Sequence, residues 1–319
     1  TMAGHLSYIE KEQYDRFSAS GTIALSDMKL KMKEMPDVEI KKSLFTFTPK
    51  YLQLSETTVA IGKNDLTADC RFENYMGYTL KGSTLKGVLN VRSNHLNLND
   101  FMTATTDSTA QTSQASSTEE TVSMIEVPQN IDFQMDAGLK EVLFDKMTFT
   151  NMNGKLIVKN GKVDMTNLSM NTMGGSVVMN GYYSTADPKK PEMNAGFRME
   201  NIGFAQAYKA LDMVQQMAPI FENLKGNFSG NMHIRTLLDN QMSPVMDTMQ
   251  GNGSLSTQDL SLSGVKVIDQ IAEAVKKPEL KEMKVKDMAL DFTIKDGRVS
   301  TKPFDIKLGD YVMNLSGST

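Results

Sequence analysis

A chain of 319 residues has room for one large β domain or two smaller ones. Its formal net charge of −4 leaves no basic bulk to attract nucleic acid or an anionic membrane surface, and its single cysteine, Cys70, excludes an intramolecular disulfide. No run of 18 apolar residues occurs, so no segment of this chain reads as a membrane span. Trp is absent, and 25 Met suit either the filling of a core or an adaptable apolar surface.

Residues 1–16 carry little periodicity. From Phe17 to Lys33, Ile23 and Leu25 alternate with polar neighbours, and Met28, Leu30 and Met32 alternate again, which predicts a hairpin turned at Ser26-Asp27. Met35-Pro36-Asp37 ends it. Alternation resumes through Phe45 and Phe47, turns at Pro49-Lys50, and continues through Leu52, Leu54, Val59, Leu66 and Ala68. A glycine-bearing unit follows over 78–102, with Leu85-Lys86-Gly87, Val88, Leu89 and Val91, a turn at Ser93-Asn94, and Leu96 to Met102. Residues 103–126 are rich in Ser, Thr, Ala and Gln and read as a disordered loop or linker. Strands resume at Ile131, Phe133 and Met135, with a turn expected at Asp136-Ala137-Gly138 before Leu139, Val142 and Phe144.

Lys155 to Gly181 is the clearest stretch. Leu156 and Val158 alternate with polar residues, and Asn160-Gly161 supplies the two positive-φ positions of a type I′ hairpin. Val163 and Met165 return. The apolar parity then slips by one before Leu168 and Met170, which predicts a bulge, and Gly174-Gly175 turns the chain towards Val177 and Met179. The pattern recurs without a gap 136 residues on (297 − 161), with Phe292, Ile294, Asp296-Gly297, Val299, Phe304 and Ile306 in the matching columns. The Leu44 to Cys70 stretch is a third copy, 111 residues earlier (161 − 50), and all three share the parity slip. Three gapless copies mean a modular β architecture. Two stretches change to a helical period, near 204–222 (Phe204, Tyr208, Leu211, Val214, Met217, Phe221) and near 265–276 (Val267, Ile268, Ile271, Val275), and are expected to cap an end or edge of the sheet.

No catalytic or metal-binding constellation emerges. His5, His95 and His233 stand far apart, and neither CxxC, HExxH, GxSxG nor a phosphate-binding loop is present. The reading is a non-enzymatic protein without metal or cofactor.

Leu85-Lys86-Gly87-Val88-Leu89-Asn90-Val91-Arg92-Ser93-Asn94-His95-Leu96-Asn97-Leu98-Asn99-Asp100-Phe101-Met102 resembles a recurring segment of AsmA-like envelope proteins, particularly Bacteroidetes-type members. The unit from Lys159 to Gly181 and its C-terminal copy are similar to that family's repeat. The resemblance spans most of residues 17–317 and carries no catalytic residues. It implies a periplasmic protein held to the inner membrane by an N-terminal helix. The start at Thr1-Met2-Ala3 and the end at Gly317-Ser318-Thr319 then read as the edges of a fragment lacking that anchor.

The expected fold is mainly β: repetitive antiparallel hairpins forming a twisted, partly open barrel or groove-like sheet, with two short amphipathic helices. A β-repeat region over 1–102 and another over 127–319 flank the 103–126 loop. The expected function is to shelter or conduct phospholipid, or another acyl-chain lipid, between inner and outer membrane. The candidate groove residues are Phe45, Phe47, Leu52, Leu54, Leu156, Val158, Val163, Met165, Leu168, Met170, Phe292, Ile294, Phe304 and Ile306. Two alternatives stay open: the same residues form an ordinary packed core, or the protein is a scaffold that helps outer-membrane protein assembly through contacts with envelope assembly proteins.

Overall fold

The computed structural model describes residues 2–3, 7–8, 18–31, 37–102, 125–274, 276–308 and 311–318. Of the expected 103–126 linker only Ile125 and Glu126 fall among them, and Met32, Pro36 and Val275 lie outside the described residues. In chain order the elements are β1 (Met2–Ala3), β2 (Ser18–Ala19), β3 (Gly21–Leu30), β4 (Val38–Phe47), β5 (Tyr51–Ile61), β6 (Asn64–Glu73), α1 (Tyr75–Lys81), β7 (Leu85–Ser93), β8 (Leu96–Asn97), α2 (Asn99–Met102), β9 (Ile131–Phe144), β10 (Met147–Lys159), β11 (Lys162–Thr172), β12 (Gly175–Ser184), β13 (Glu192–Gly203), α3 (Phe204–Ala210), α4 (Asp212–Met217), β14 (Leu224–Leu237), β15 (Gln250–Ser263), α5 (Lys266–Ala274), β16 (Glu282–Lys295), β17 (Arg298–Leu308) and β18 (Tyr311–Ser318).

β1 pairs only with β2. The other strands form one 16-stranded sheet in the order β18-β17-β16-β15-β14-β13-β12-β11-β10-β9-β7-β6-β5-β4-β3, with β8 also on β9. It is mostly antiparallel and not closed into a barrel. The departures are β7 and β8, which both run parallel to β9. By compactness the chain divides into two units: Thr1–Leu168 with Tyr182–Pro191 and Asn240–Met242, and Ser169–Gly181 with Glu192–Asp239 and Ser243–Thr319. The division falls within β11.

The repeats fold alike. Asn160-Gly161 (φ 52° and 72°) and Asp296-Gly297 (φ 52° and 73°) make the same left-handed two-residue turn. The predicted parity slip is a bulge. Ladder register shifts between Leu54 and Thr57 in the first copy and between Thr301 and Phe304 in the third. Glu56 (φ 51°) and Asn167 (φ 49°) occupy one column, 111 residues apart (167 − 56), and each holds the left-handed conformation that a bulge needs. The third copy has Pro303 in that column.

Several expected breaks are not breaks. Ser26-Asp27 lies inside the continuous β3, where Asp27 takes a positive φ of 51° but the pairing with β4 keeps one register on either side. Asp136-Ala137-Gly138 lies inside the 14-residue β9, where Gly138 leaves room for the Arg92 side chain that binds Asp136 at 2.9 Å. The turn placed at Gly174-Gly175 sits one residue earlier, at Met173 (φ 51°) and Gly174 (φ 83°). In the glycine-bearing unit over 78–102, Tyr78–Lys81 belong to α1, which buries no residue and ends at the left-handed Gly82. Leu96–Met102 gives a two-residue strand and one helical turn. The helix expected over 204–222 is cut at Leu211 (φ −121°, ψ 104°) into α3 and α4, and Pro219 opens a 3-10 turn over Pro219–Asn223.

In the second unit α3 and α4 pack on the sheet. One cross-strand row is Ala195, Ile234, Gly251, Ile294 and Val299. Met217 of α4 packs with Ile234, Met249 and Ile294, and Met213, Met232, Met246 and Phe292 close around them. Phe204 of α3 is fully buried and meets Phe221 and Phe228 with ring centroids 4.9 Å away. Met here fills a core, as its flexible side chain permits.

Candidate functional site

In the first unit the β-ladders align apolar side chains into rows, because directly paired residues project to the same face. One row crosses seven strands: Ile23, Phe45, Leu54, Cys70, Leu89, Met135 and Leu156. The next is Gly21, Phe47, Leu52, Phe72, Gly87, Phe133 and Val158. Six strand spacings of about 4.8 Å make each row roughly 29 Å long. That is about the thickness of a bilayer's hydrocarbon core.

The glycines in the second row are seats for rings. A Cβ at Gly87 would stand 2.9 Å from Phe133 and 3.1 Å from Phe72, whose rings lie 5.6 Å apart. A Cβ at Gly21 would stand 2.9 Å from Phe47, which stacks on Phe45 at 6.1 Å. The Phe72 and Phe133 rings are tilted by 57° to each other, and those of Phe45 and Phe47 by 28°. A third row is lined with smaller groups: Thr57, Ala68, Val91, Ala137 and Gly154. Beside it the buried hydroxyls of Ser43 and Thr57 satisfy each other at 2.8 Å.

The two apolar rows are not covered as the core of the second unit is. Apart from Cys70 and Gly87, every residue in them keeps part of its surface accessible, and Ile23 is 46% exposed. A uniformly apolar face that is only half-buried is the unusual feature, since solvated sheet faces ordinarily alternate towards polar residues.

The ladders bring six of the sequence-derived candidates onto this face: Phe45, Phe47, Leu52, Leu54, Leu156 and Val158. Val163 and Met165 follow on β11, half-buried. Leu168 is buried against Gly154, where a Cβ would stand 2.8 Å from the Leu168 backbone. Met170 is buried in the second unit. Phe292 and Ile294 belong to the methionine-rich core under α4. Phe304 pairs with Leu315 and Ile306 with Met313 in the β17–β18 ladder, and Ile306 is described by its backbone alone. Sequence reasoning missed Ile23, Cys70, Phe72, Leu89, Phe133 and Met135 as candidates. Their alternation was visible; Ile23, Cys70, Phe72 and Leu89 join the rows through antiparallel neighbours, and Phe133 and Met135 through the parallel β7–β9 pairing.

One polar cluster fixes the end of this face. The Asp65 carboxylate accepts hydrogen bonds from the backbone N–H of Asn94 at 3.1 Å, from that of His95 at 2.7 Å, and from Asn94 Nδ2 at 2.7 Å. Burial alone would raise the Asp65 carboxyl, but these donors outweigh it and hold it below the ordinary carboxylate value. His95 Nδ1 lies 2.6 Å from Glu141. Ser93 is nearby in sequence and buried, but its hydroxyl makes no hydrogen bond among the described residues, so no nucleophile is coupled to that pair.

The second unit has an open hollow of about 640 Å³, lined by polar residues such as Asn231, His233, Asn252 and Asp291 together with apolar ones such as Phe197, Met232 and Phe292. Lys302 pairs with Asp291 at 3.6 Å and Arg198 with Glu200 at 2.9 Å, both exposed, which is how a solvated face is organised. Among the described residues no group of three metal-ligating side chains occurs, and no helix is long and apolar enough to cross a membrane. No family model, no curated protein and no solved structure matches this chain.

Proposed function

We propose that this is a non-enzymatic envelope protein whose apolar β-face shelters phospholipid or another acyl-chain lipid on its way between inner and outer membrane. The observation that carries the reading is the pair of seven-strand apolar rows, half-buried and about as long as a bilayer core is thick. An acyl chain lying across the strands would cover the rows by the hydrophobic effect alone, and phenyl rings offer apolar contact without selecting one chain length. The resemblance to AsmA-like proteins points the same way and supplies the periplasmic, inner-membrane-anchored setting.

The test is lipid extraction and mass spectrometry of the chain purified from an envelope-containing host. Phospholipid should co-purify with the unaltered protein. Leu54→Asp and Leu89→Asp place a charge in the middle of one row and should lower recovery by about tenfold, equivalent to about 1.4 kcal/mol. Absence of lipid from the unaltered protein, or equal lipid in both variants, would refute the reading.

A further inference from the structure

Charge is unevenly spread along the strands of the first unit. Their order brings five connections to one end: the turn at Pro49-Lys50, α1, the lead into β9 over 125–130, the turn at Asn160-Gly161, and the stretch 185–190 after β12. Hydrogen bonds tie them together. The Tyr75 hydroxyl donates to the Thr48 carbonyl at 2.8 Å, and the Leu85 N–H to the Asn130 carbonyl at 3.0 Å. The Gly161 N–H donates to the Pro128 carbonyl at 3.3 Å, and the Thr185 N–H to the Gly161 carbonyl at 2.8 Å.

At this end Arg71 pairs with Glu73, Lys159 with Asp132 and Lys162 with Asp164. Lys50, Lys81, Lys86, Lys189 and Lys190 are exposed and make no ion pair among the described residues. The carboxylates left to face them are Glu126 and Asp187, which leaves a surplus of three positive charges (5 − 2). The other end of the same strands has no such surplus: Lys31, Lys63 and Lys146 stand with Asp37, Asp65, Asp100 and Asp145. The basic end is also where apolar side chains reach water. α1 buries no residue, its Leu80 is 43% exposed, and Ile125 is 50% exposed. One apolar row runs just behind them: Leu52 follows Lys50 by two residues (52 − 50), and Phe72 precedes Tyr75 by three (75 − 72).

We propose that this end of the first unit docks on an anionic phospholipid bilayer, with the unpaired lysines on headgroup phosphates and Leu80 and Ile125 in the interface. An acidic polypeptide would satisfy the lysines but gives no account of the exposed apolar side chains. The inference rests on the lipid-sheltering reading for the identity of the surface, and adds the place where an acyl chain passes between bilayer and rows.

The experiment sediments the 319-residue chain with vesicles of phosphatidylglycerol and phosphatidylethanolamine, and with vesicles of phosphatidylcholine alone. The expected result is binding to the anionic vesicles, weakened about tenfold or more by Lys81→Glu combined with Lys189→Glu, and likewise by salt at about 1 M. Leu80→Asp should weaken it too, whereas Lys63→Glu at the other end should leave it unchanged. All four side chains are exposed, so the variants should melt as the unaltered protein does. No binding to anionic vesicles, equal binding to both kinds of vesicle, or an equal loss in Lys63→Glu overturns the proposal. Capture by polyglutamate but not by vesicles also overturns it, and assigns the lysines to an acidic polypeptide. Lipid recovery from the same preparation, measured before vesicles are added, separates the two readings. Protein that docks without carrying lipid refutes the sheltering role alone, and protein that carries lipid without docking refutes this inference alone.

Discussion

Gly87 shows how one missing side chain organises the candidate face. Its empty position seats both Phe133 and Phe72, so Gly87→Val must displace two rings at once. We expect a loss of about 1–3 kcal/mol in denaturant unfolding, the usual cost of overpacking. Leu89 and Met217 offer the converse comparison. Leu89 is half-buried on the uncovered face, whereas Met217 is enclosed among Ile234, Met249 and Ile294. Met217→Ala should cost about 2–4 kcal/mol, and Leu89→Ala about 1 kcal/mol. Equal losses would mean that the Leu89 row is packed after all. Asp65 adds a pH dependence. Its carboxyl is held low in the folded protein, so its stabilisation is complete above the unfolded value near ~4 and is lost as pH falls through the folded value. Asp65→Asn should therefore lower stability at neutral pH by about 1 kcal/mol and give a shallower decline below pH ~4.

Among the elements, the bulged hairpin is the unit that recurs, and in the first two copies its bulge rests on one left-handed residue. Asn167 and Glu56 sit in the left-handed region at the same column. Asn and Gly tolerate that conformation and a β-branched residue does not, so Asn167→Val should cost about 1–2 kcal/mol more than Asn167→Gly in thermal unfolding. The parity slip and the Asn160-Gly161 and Asp296-Gly297 turns were legible in the sequence because their causes are local: a spacing of apolar residues and a demand for positive φ. Asp27 misled for the same local reason. It takes the conformation of a turn residue while its strand continues. α1 left no mark in the sequence because it buries nothing, so no helical stripe was selected. The cover over the second unit was half legible: the helical period of 204–222 could be read, but not that Met217 would reach across to Ile294. The joining of the two apolar rows across β7 and β9 was not legible, because that pairing is parallel and long-range.

For the molecule as a whole, the repeats give two different treatments of an apolar sheet face, each within its own unit. The second unit spends its face on internal packing against helices, and the first leaves it accessible. Lipid occupancy should follow that difference: row substitutions such as Leu54→Asp should release lipid, while Ile294→Val, an alteration of the covered core, should leave it bound and shift only the melting temperature. The parallel β7–β9 junction has a further effect, on how the sheet is built. Nearly every other neighbour in the sheet order is also the next strand in sequence, so zippering can proceed hairpin by hairpin as the polypeptide emerges. At this junction the 37 residues between Ser93 and Ile131 (130 − 93) must be spanned before Ile131 meets Leu85 and Leu139 meets Ser93. Loop closure over that length costs about 2 kcal/mol more than a tight turn. Acquisition of hydrogen-exchange protection by β9 should thus be the slow step in refolding, and until it occurs the exposed rim of β7 is where a nascent chain is most open to wrong pairing.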